Sequence, residues 1–323
     1  MTEQRARVLV TRKLPDRVEE ALATVADVDL NPDDRLYPTD ELLSRAEGVS
    51  AIVACHTERF SAEVIQRLPK SVKAIVNFSV GYDHVDCEAA KASGVIVTNT
   101  PDVLSDATAE TAMLLMLGAA RRAGEGWDLV RKAEWKDWSP AFMVGTQITG
   151  KRLGIVGMGR VGQVLADRAR GFDMEIHYHN RSPLEAGKAK GATYHDSLDS
   201  LLAVSDVLSL HCPATPENKG LLNAERIAKL PAGAIVVNSA RGAVIDDDAL
   251  IAALGSGQVK AAGLDVFNGE PCDIHPAYRD LANVFVLPHI GSATAETRDA
   301  MGFRALENLK AVLAGTAPCD RVA

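Results

Sequence analysis

No cysteine in this chain stands in a CxxC pair. The five that occur, Cys55, Cys87, Cys212, Cys272 and Cys319, are odd in number and widely spaced, so neither a disulfide framework nor a zinc knuckle is indicated and no metal is expected. Long hydrophobic runs are missing too. The longest, Ala112–Leu117 with a few small residues after it, falls far short of the roughly 20 residues that cross a bilayer. The polar opening Met1–Arg7 lacks the apolar core of a signal peptide. A soluble, cytoplasmic protein with no membrane partner is expected, and the formal glycosylation sequons at Asn77 and Asn180 then carry no weight. Positive charge is in deficit: the net charge is −8 and the pI near 5.5, with no Lys/Arg-rich run, which argues against a nucleic-acid partner. An anionic small molecule must then be met by a few local cations. Aromatic residues are only 5% of the chain, yet all three tryptophans, Trp127, Trp135 and Trp138, fall in one stretch.

What is present is apolar patterning. With 323 residues, 47% of them hydrophobic, the chain is long enough for two cores. Short β-branched runs, Val8–Val10, Ala51–Ala54, Ala74–Val76 and Val95–Val97, alternate with amphipathic pieces such as Ala62–Leu68, the pattern of a parallel sheet covered by helices. It breaks near Thr98–Pro101, where a first domain crossing is placed, and a long apolar helix is expected after Ser105 or Asp106. A second series follows: Leu153–Val156, Glu175–His179, Val207–Leu210, Ala234–Val237, Ala261–Leu264 and Val284–Leu287, spaced by about 20 to 30 residues, the period of βαβ units. The final helix, Glu296–Leu313, has no strand of its own and is expected to pack back on the first domain. The stretch Arg121–Gly150 has no strand either, and its tryptophans suggest an oligomer contact or a small satellite core.

The most specific segment is Gly157-Met158-Gly159-Arg160-Val161-Gly162. It follows the run Leu153–Val156 and opens an amphipathic piece, Val161–Arg170, giving the order strand, turn, helix. There the first glycine makes the turn, the second lets backbone approach a pyrophosphate, and the third packs helix on strand, while the helix N-terminus offers free N–H groups to the anion. A dinucleotide cofactor is expected. NAD sites hold the ribose 2′-hydroxyl with an acid at the end of the next strand. Here that strand ends in Asn180-Arg181-Ser182, with no acid, and an Arg and a Ser can hydrogen-bond a 2′-phosphate. NADPH is therefore expected to be preferred over NADH, with NAD possible if Arg181 is only a solvated loop charge.

Three polar residues follow strands of the second series: Arg241 after Ala234–Ala240, Glu270 after Ala261–Gly269 and His289 after Val284–Pro288. Singly, each reads as a surface charge, a loop acid and a strand-end histidine. Together, at the edge where doubly wound sheets bind ligands, they match a chemistry. An Arg holds a carboxylate by two bonds and polarises the neighbouring carbonyl; a His passes a proton to that carbonyl; a carboxylate beside the His fixes its tautomer.

These residues, with Asn238-Ser239-Ala240-Arg241-Gly242, Gly263-Leu264-Asp265-Val266-Phe267, Glu270-Pro271 and Leu287–Ala293 in order, give a sequence that resembles the D-isomer-specific 2-hydroxyacid dehydrogenases, glyoxylate/hydroxypyruvate reductase branch, nearly end to end. The resemblance implies an α/β fold of two doubly wound parallel-sheet domains, with a Rossmann-type cofactor domain (100–290) inserted into a flavodoxin-like substrate domain (1–99 and 291–323), and a homodimer made through an arm at 118–148. It implies that Arg241 anchors the substrate carboxylate, Glu270 supports the base and His289 is the acid/base. Thr108, Cys212, Pro213, Ser239, Ala240, Asp265 and Ser292 would touch the cofactor alongside Gly157–Gly162 and Asn180–Ser182, with Asp265 facing the nicotinamide carboxamide. The loop Asn77–Asp83 matches the family's substrate loop, whose Val80 and Gly81 amides would bind the carboxylate in a cleft between domains, though Ser79-Val80 stand where Gly-Ala is commoner and Tyr82 where Val is usual. Trp138 resembles a residue reaching in from a dimer partner, which would exclude large acyl groups. The implied reaction is reversible reduction of glyoxylate or hydroxypyruvate, fading as pH rises. Open alternatives are an NAD-linked D-lactate, D-glycerate or other D-2-hydroxyacid dehydrogenase and, with no interaction tail after Gly315 to favour it, a dinucleotide-sensing corepressor-like protein.

Overall fold

The computed structural model describes residues 5–323. The chain folds as two compact units: residues up to Leu104 together with Ala293–Ala323, and Ser105–Ser292. In the first unit the strands are β1 (Arg7–Val10), β2 (Asp27–Asp29), β3 (Ala51–Ala54), β4 (Ala74–Asn77) and β5 (Ile96–Thr98). They are all parallel and ordered β2-β1-β3-β4-β5, the flavodoxin-like order expected. Strands β3 and β4 are buried on both faces, which is why they read as unbroken β-branched runs rather than alternating ones. One face packs against Leu42, Phe60 and Ile65. The other packs against Val18 and Leu22 and against Met301, Leu306 and Leu309 of the last helix, Ala295–Leu313, whose N-cap Thr294 accepts a hydrogen bond from Thr297 N. That helix does return to the first unit. It can lie close because Gly302 has no side chain; a Cβ there would sit 2.3 Å from Val18 Cγ2.

The second unit carries β6 (Arg152–Val156), β7 (Glu175–His179), β8 (Thr193–Tyr194), β9 (Val207–Leu210), β10 (Ala234–Asn238), β11 (Val259–Leu264) and β12 (Val284–Val286). These too are all parallel, ordered β12-β11-β10-β9-β6-β7-β8. The chain leaves β6 toward β7 on one side and returns to β9 on the other, so the topological switch point lies between β6 and β9. Ligands of such sheets bind there, beyond the carboxyl ends of the strands. The helix Ser105–Ala120 crosses β11 at Gly263, where a Cβ would meet Leu115 O at 2.5 Å.

Strands β2 and β8 were not anticipated: Asp27-Val28-Asp29 is too polar and Thr193-Tyr194 too short to register as apolar runs, and both are sheet edges. The satellite core suggested for 121–150 is also not found. A helix, Ala123–Arg131, opens this stretch, but Trp127, Trp135 and Trp138 are 65, 55 and 69% exposed. Among the described residues no helix is long and apolar enough to cross a membrane.

Candidate active site

After β6 the backbone turns through Gly157 at φ +89°, with Gly157 N donating to His179 O at 3.0 Å. A Cβ on Gly157 would lie 2.8 Å from Cys212 N, and one on Gly162 would lie 2.8 Å from Gly157 O and 3.1 Å from Ile155 Cγ2. At Gly159 a Cβ would meet nothing within 4 Å. The first and third glycines are thus required by the protein, whereas the second keeps a space clear. Gly159 caps the helix Arg160–Arg170, whose first-turn N–H groups at Val161 and Gly162 have no intrahelical acceptor. An open face lined by these donors fits a pyrophosphate.

Two residues assigned to the cofactor serve the turn itself. Asn180 Oδ1 accepts from Met158 N at 2.7 Å, and the Met158 side chain is fully buried in the core. Arg181 and Ser182, at the end of β7, are exposed. Beyond β9, burial pushes the Cys212 thiol up to about 11 and the His211 imidazole down to about 4. Both are therefore neutral near pH 7.

Strands β10, β11 and β12 are adjacent, so Arg241, Glu270 and His289 leave the sheet at one carboxyl edge. Asn238, fully buried at the end of β10, folds the first of these turns: its Oδ1 accepts from Ala240 N at 3.0 Å and its Nδ2 donates to Arg241 O at 2.9 Å. Arg241 Nη1 donates to Ala240 O at 2.8 Å. Gly242 then lets this turn touch the next one, since a Cβ there would lie 2.0 Å from Phe267 C. The Ser239 hydroxyl is buried without a hydrogen-bond partner. An orphaned polar atom of this kind costs free energy unless a ligand satisfies it, and a carboxamide would do so.

The Glu270 carboxylate bridges two loops. Its Oε2 accepts from Phe267 N at 2.9 Å, and its Oε1 lies 2.6 Å from His289 Nδ1. His289 sits at φ +53°, a conformation uncommon for a residue with a Cβ, and Asp265 over-determines it. Asp265 O accepts from His289 N at 2.8 Å, and its two carboxylate oxygens accept from Ile290 N and Gly291 N at 2.7 Å each. Burial raises the Asp265 carboxyl above its ordinary value despite these two bonds. Thr108 Oγ1 donates to Gly291 O at 3.1 Å, closing the same turn from the helix side. The geometry therefore gives Asp265 and Thr108 a clear task in holding the turn that carries His289. The polar Asn238 closing a β-branched strand was the signal available for its turn-building role.

In the first unit, the loop after β4 leaves the Ser79, Val80 and Gly81 amides without a hydrogen-bond acceptor among the described residues. Such successive donors suit an anion.

A helix N-terminus at a sheet switch point, with an imidazole–carboxylate pair on the same strand edge, defines a dinucleotide-dependent oxidoreductase. Comparison with known proteins makes this specific. Residues 113–291 match the family model for the D-isomer specific 2-hydroxyacid dehydrogenase, NAD binding domain. The chain is 44% identical over 312 residues to the glycerate dehydrogenase of Hyphomicrobium methylovorum, covering 96% of each chain. It is 42% identical over 319 residues to the glyoxylate reductase of Thermococcus kodakarensis, covering 97% of this chain and 95% of that one. The structure of the NADPH-dependent glyoxylate/hydroxypyruvate reductase of Sinorhizobium meliloti in complex with NADP and malonate is similar at a TM-score of 0.87 and 32% identity, covering 99% of this chain and 97% of that one. The chain belongs to the D-isomer-specific 2-hydroxyacid dehydrogenase family, and groups within it with glyoxylate reductases and glycerate dehydrogenases. Its cofactor is a nicotinamide dinucleotide.

Proposed function

We propose that the protein reduces glyoxylate or hydroxypyruvate to the corresponding D-2-hydroxy acid, with NADPH preferred. The observation that carries this reading is the His289–Glu270 contact of 2.6 Å, held on the edge that also presents Arg241 and the glycine turn. The bound coenzyme supplies hydride. With Nδ1 committed to Glu270, His289 exchanges its proton through Nε2, giving it to the carbonyl oxygen in reduction and taking it back in the reverse direction. The Arg241 guanidinium holds the substrate carboxylate as a permanent cation, and the successive Val80 and Gly81 amides of the first unit are donors that suit a carboxylate as well. Running D-glycerate oxidation, as named for the Hyphomicrobium methylovorum relative, uses the same groups in reverse. Initial rates with glyoxylate, hydroxypyruvate, pyruvate and phenylpyruvate, each with NADPH and NADH, test the assignment; a preference for phenylpyruvate would overturn it.

The NADPH preference rests on Arg181. It is exposed, no acid ends its strand, and the Glu217 carboxylate lies close enough to feel its charge. Arg181→Ala is expected to lower kcat/KM with NADPH about tenfold, in the range of a charge-assisted bond, and to leave NADH little changed. An unaltered ratio of the two efficiencies would remove Arg181 from the specificity.

The arm supports a homodimer reading. Trp127, Val130, Trp138 and Val144 are each more than 60% exposed, an apolar concentration uncommon on a monomer surface. Sedimentation of the wild type should give a dimer, and Trp127→Glu with Val130→Glu should shift it to monomer. Trp138 is assigned to the partner's substrate pocket, so Trp138→Ala should admit larger acyl groups.

A further inference from the structure

The Ser79, Val80 and Gly81 carbonyls of the substrate loop after β4 are all tied down, the last by the Ser79 hydroxyl at 2.6 Å. Ser79 O accepts from Thr100 N at 2.9 Å, and Val80 O accepts from Asn99 Nδ2 at 2.8 Å. In a planar trans peptide the carbonyl of one residue and the N–H of the next point in opposite directions. The Thr100 bond therefore aims the Val80 N–H away from Thr100, and the Asn99 bond aims the Gly81 N–H away from Asn99. Those are the two donors assigned to the substrate carboxylate.

Asn99 is buried and is itself fixed from behind. Its N donates to Asp320 O and its O accepts from Asn308 Nδ2, both at 3.2 Å. The same Asn308 Nδ2 donates to Asp320 Oδ2 at 2.8 Å, and Asp320 N donates to Asn308 Oδ1 at 3.1 Å. The Asp320 carboxylate is nearly inaccessible and is held by Arg304 through two bonds of 2.6 and 2.7 Å. The segment carrying Asp320 is anchored along β5, with Val322 N donating to Val97 O at 2.8 Å. A continuous set of bonds thus runs from the Asp320–Arg304 ion pair, through Asn308 and Asn99, to the peptide that presents the Gly81 amide.

We propose that Asn99 is a positioning residue for the substrate carboxylate, and that Asp320 acts through it by fixing the Asn99 backbone. The proposal rests on the functional reading above, in which the loop amides bind that carboxylate. Its physical content is preorganisation: an unheld Val80–Gly81 peptide can rotate, and the donor must then be ordered at each binding event.

The test compares wild type with Asn99→Asp, which keeps the shape and replaces the donor by an oxygen, and Asn99→Ala, which adds no charge. Glyoxylate is the varied substrate and NADPH the coenzyme, with oxalate as inhibitor. In both variants KM for glyoxylate and the oxalate inhibition constant are expected to rise on the order of tenfold, the equivalent of one hydrogen bond. kcat and KM for NADPH should stay within about twofold. Asp320→Asn should move the same constants in the same direction by a smaller factor, and it decides the matter should either Asn99 variant fail to accumulate. A purely structural role would lower melting temperature and yield at an unchanged KM for glyoxylate, and that result overturns the proposal. Wild-type enzyme that reduces neither glyoxylate nor hydroxypyruvate defeats the functional reading, and this one with it. Wild-type turnover with unaltered KM in the variants defeats this one alone.

Discussion

Replacing His289 with Ala is expected to lower kcat for 2-oxo acid reduction on the order of a hundredfold or more, while the coenzyme binds as in wild type. The separation follows from the geometry. His289 is held by Glu270 and by the Asp265 backbone at the end of β12, whereas the glycine turn and its helix begin at β6, with three strands between the two in the sheet. Removing the imidazole takes away the proton donor but none of the backbone donors at the helix N-terminus. Arg241 remains to hold the carboxylate, so KM should change less than kcat. Glu270→Gln should fall between the two enzymes, because a neutral amide still accepts from Nδ1 but no longer stabilises the imidazolium. Stopped-flow single turnovers would separate the chemical step from product release. Turnover within a few-fold of wild type in His289→Ala would assign the proton to another group.

The same strand edge shows what a sequence can reveal and what it cannot. Buried parallel strands are apolar on both faces, so β3, β4, β9 and β10 announce themselves as runs of Val, Ile, Leu and Ala. Edge strands have no such requirement, and Asp27–Asp29 and Thr193–Tyr194 passed unnoticed. Arg241, Glu270 and His289 were legible because each stands just past a recognisable strand, and parallel topology places all such positions on one side. Their supporting bonds were not. Nothing in the spacing of Asp265 and Gly291 says that a carboxylate will receive two consecutive amides, since that depends on where two loops from neighbouring strands meet. Met158 shows a related limit: within the glycine motif its backbone lines the turn while its side chain fills the core, and the alternation is visible only once the turn is built. Asn99 and Asp320, separated by more than two hundred positions, meet because the returning final helix brings the last segment against β5.

Gly157 and Gly159 differ by two positions yet should respond to substitution in opposite ways. Gly157→Ala places a Cβ at a φ of +89° and within 2.9 Å of Cys212 N and His211 backbone atoms. Backbone cannot move aside as a flexible side chain can, so the variant is expected to lose about 2 kcal/mol or more of stability. Its melting temperature should drop even without ligand. Gly159→Val points its side chain into space where the protein has no atom within 4 Å of the Cβ, at a negative φ of −83° with ψ −147°, so it meets backbone strain but no clash. The ligand-free protein should therefore melt closer to wild type than Gly157→Ala does. The added methyl groups occupy the face from which the Val161 and Gly162 amides would reach a pyrophosphate, and the dissociation constant for NADPH is expected to rise on the order of a hundredfold, about 2.7 kcal/mol. The contrast can be read from melting curves alone, because a ligand that binds only the folded state raises its melting temperature. Adding NADPH at a concentration near the wild-type dissociation constant should raise the wild-type curve and leave the Gly159→Val curve almost unmoved. A normal coenzyme-induced shift in Gly159→Val would mean that the dinucleotide does not lie against this turn, and the assignment of the second unit's ligand edge would have to be redrawn.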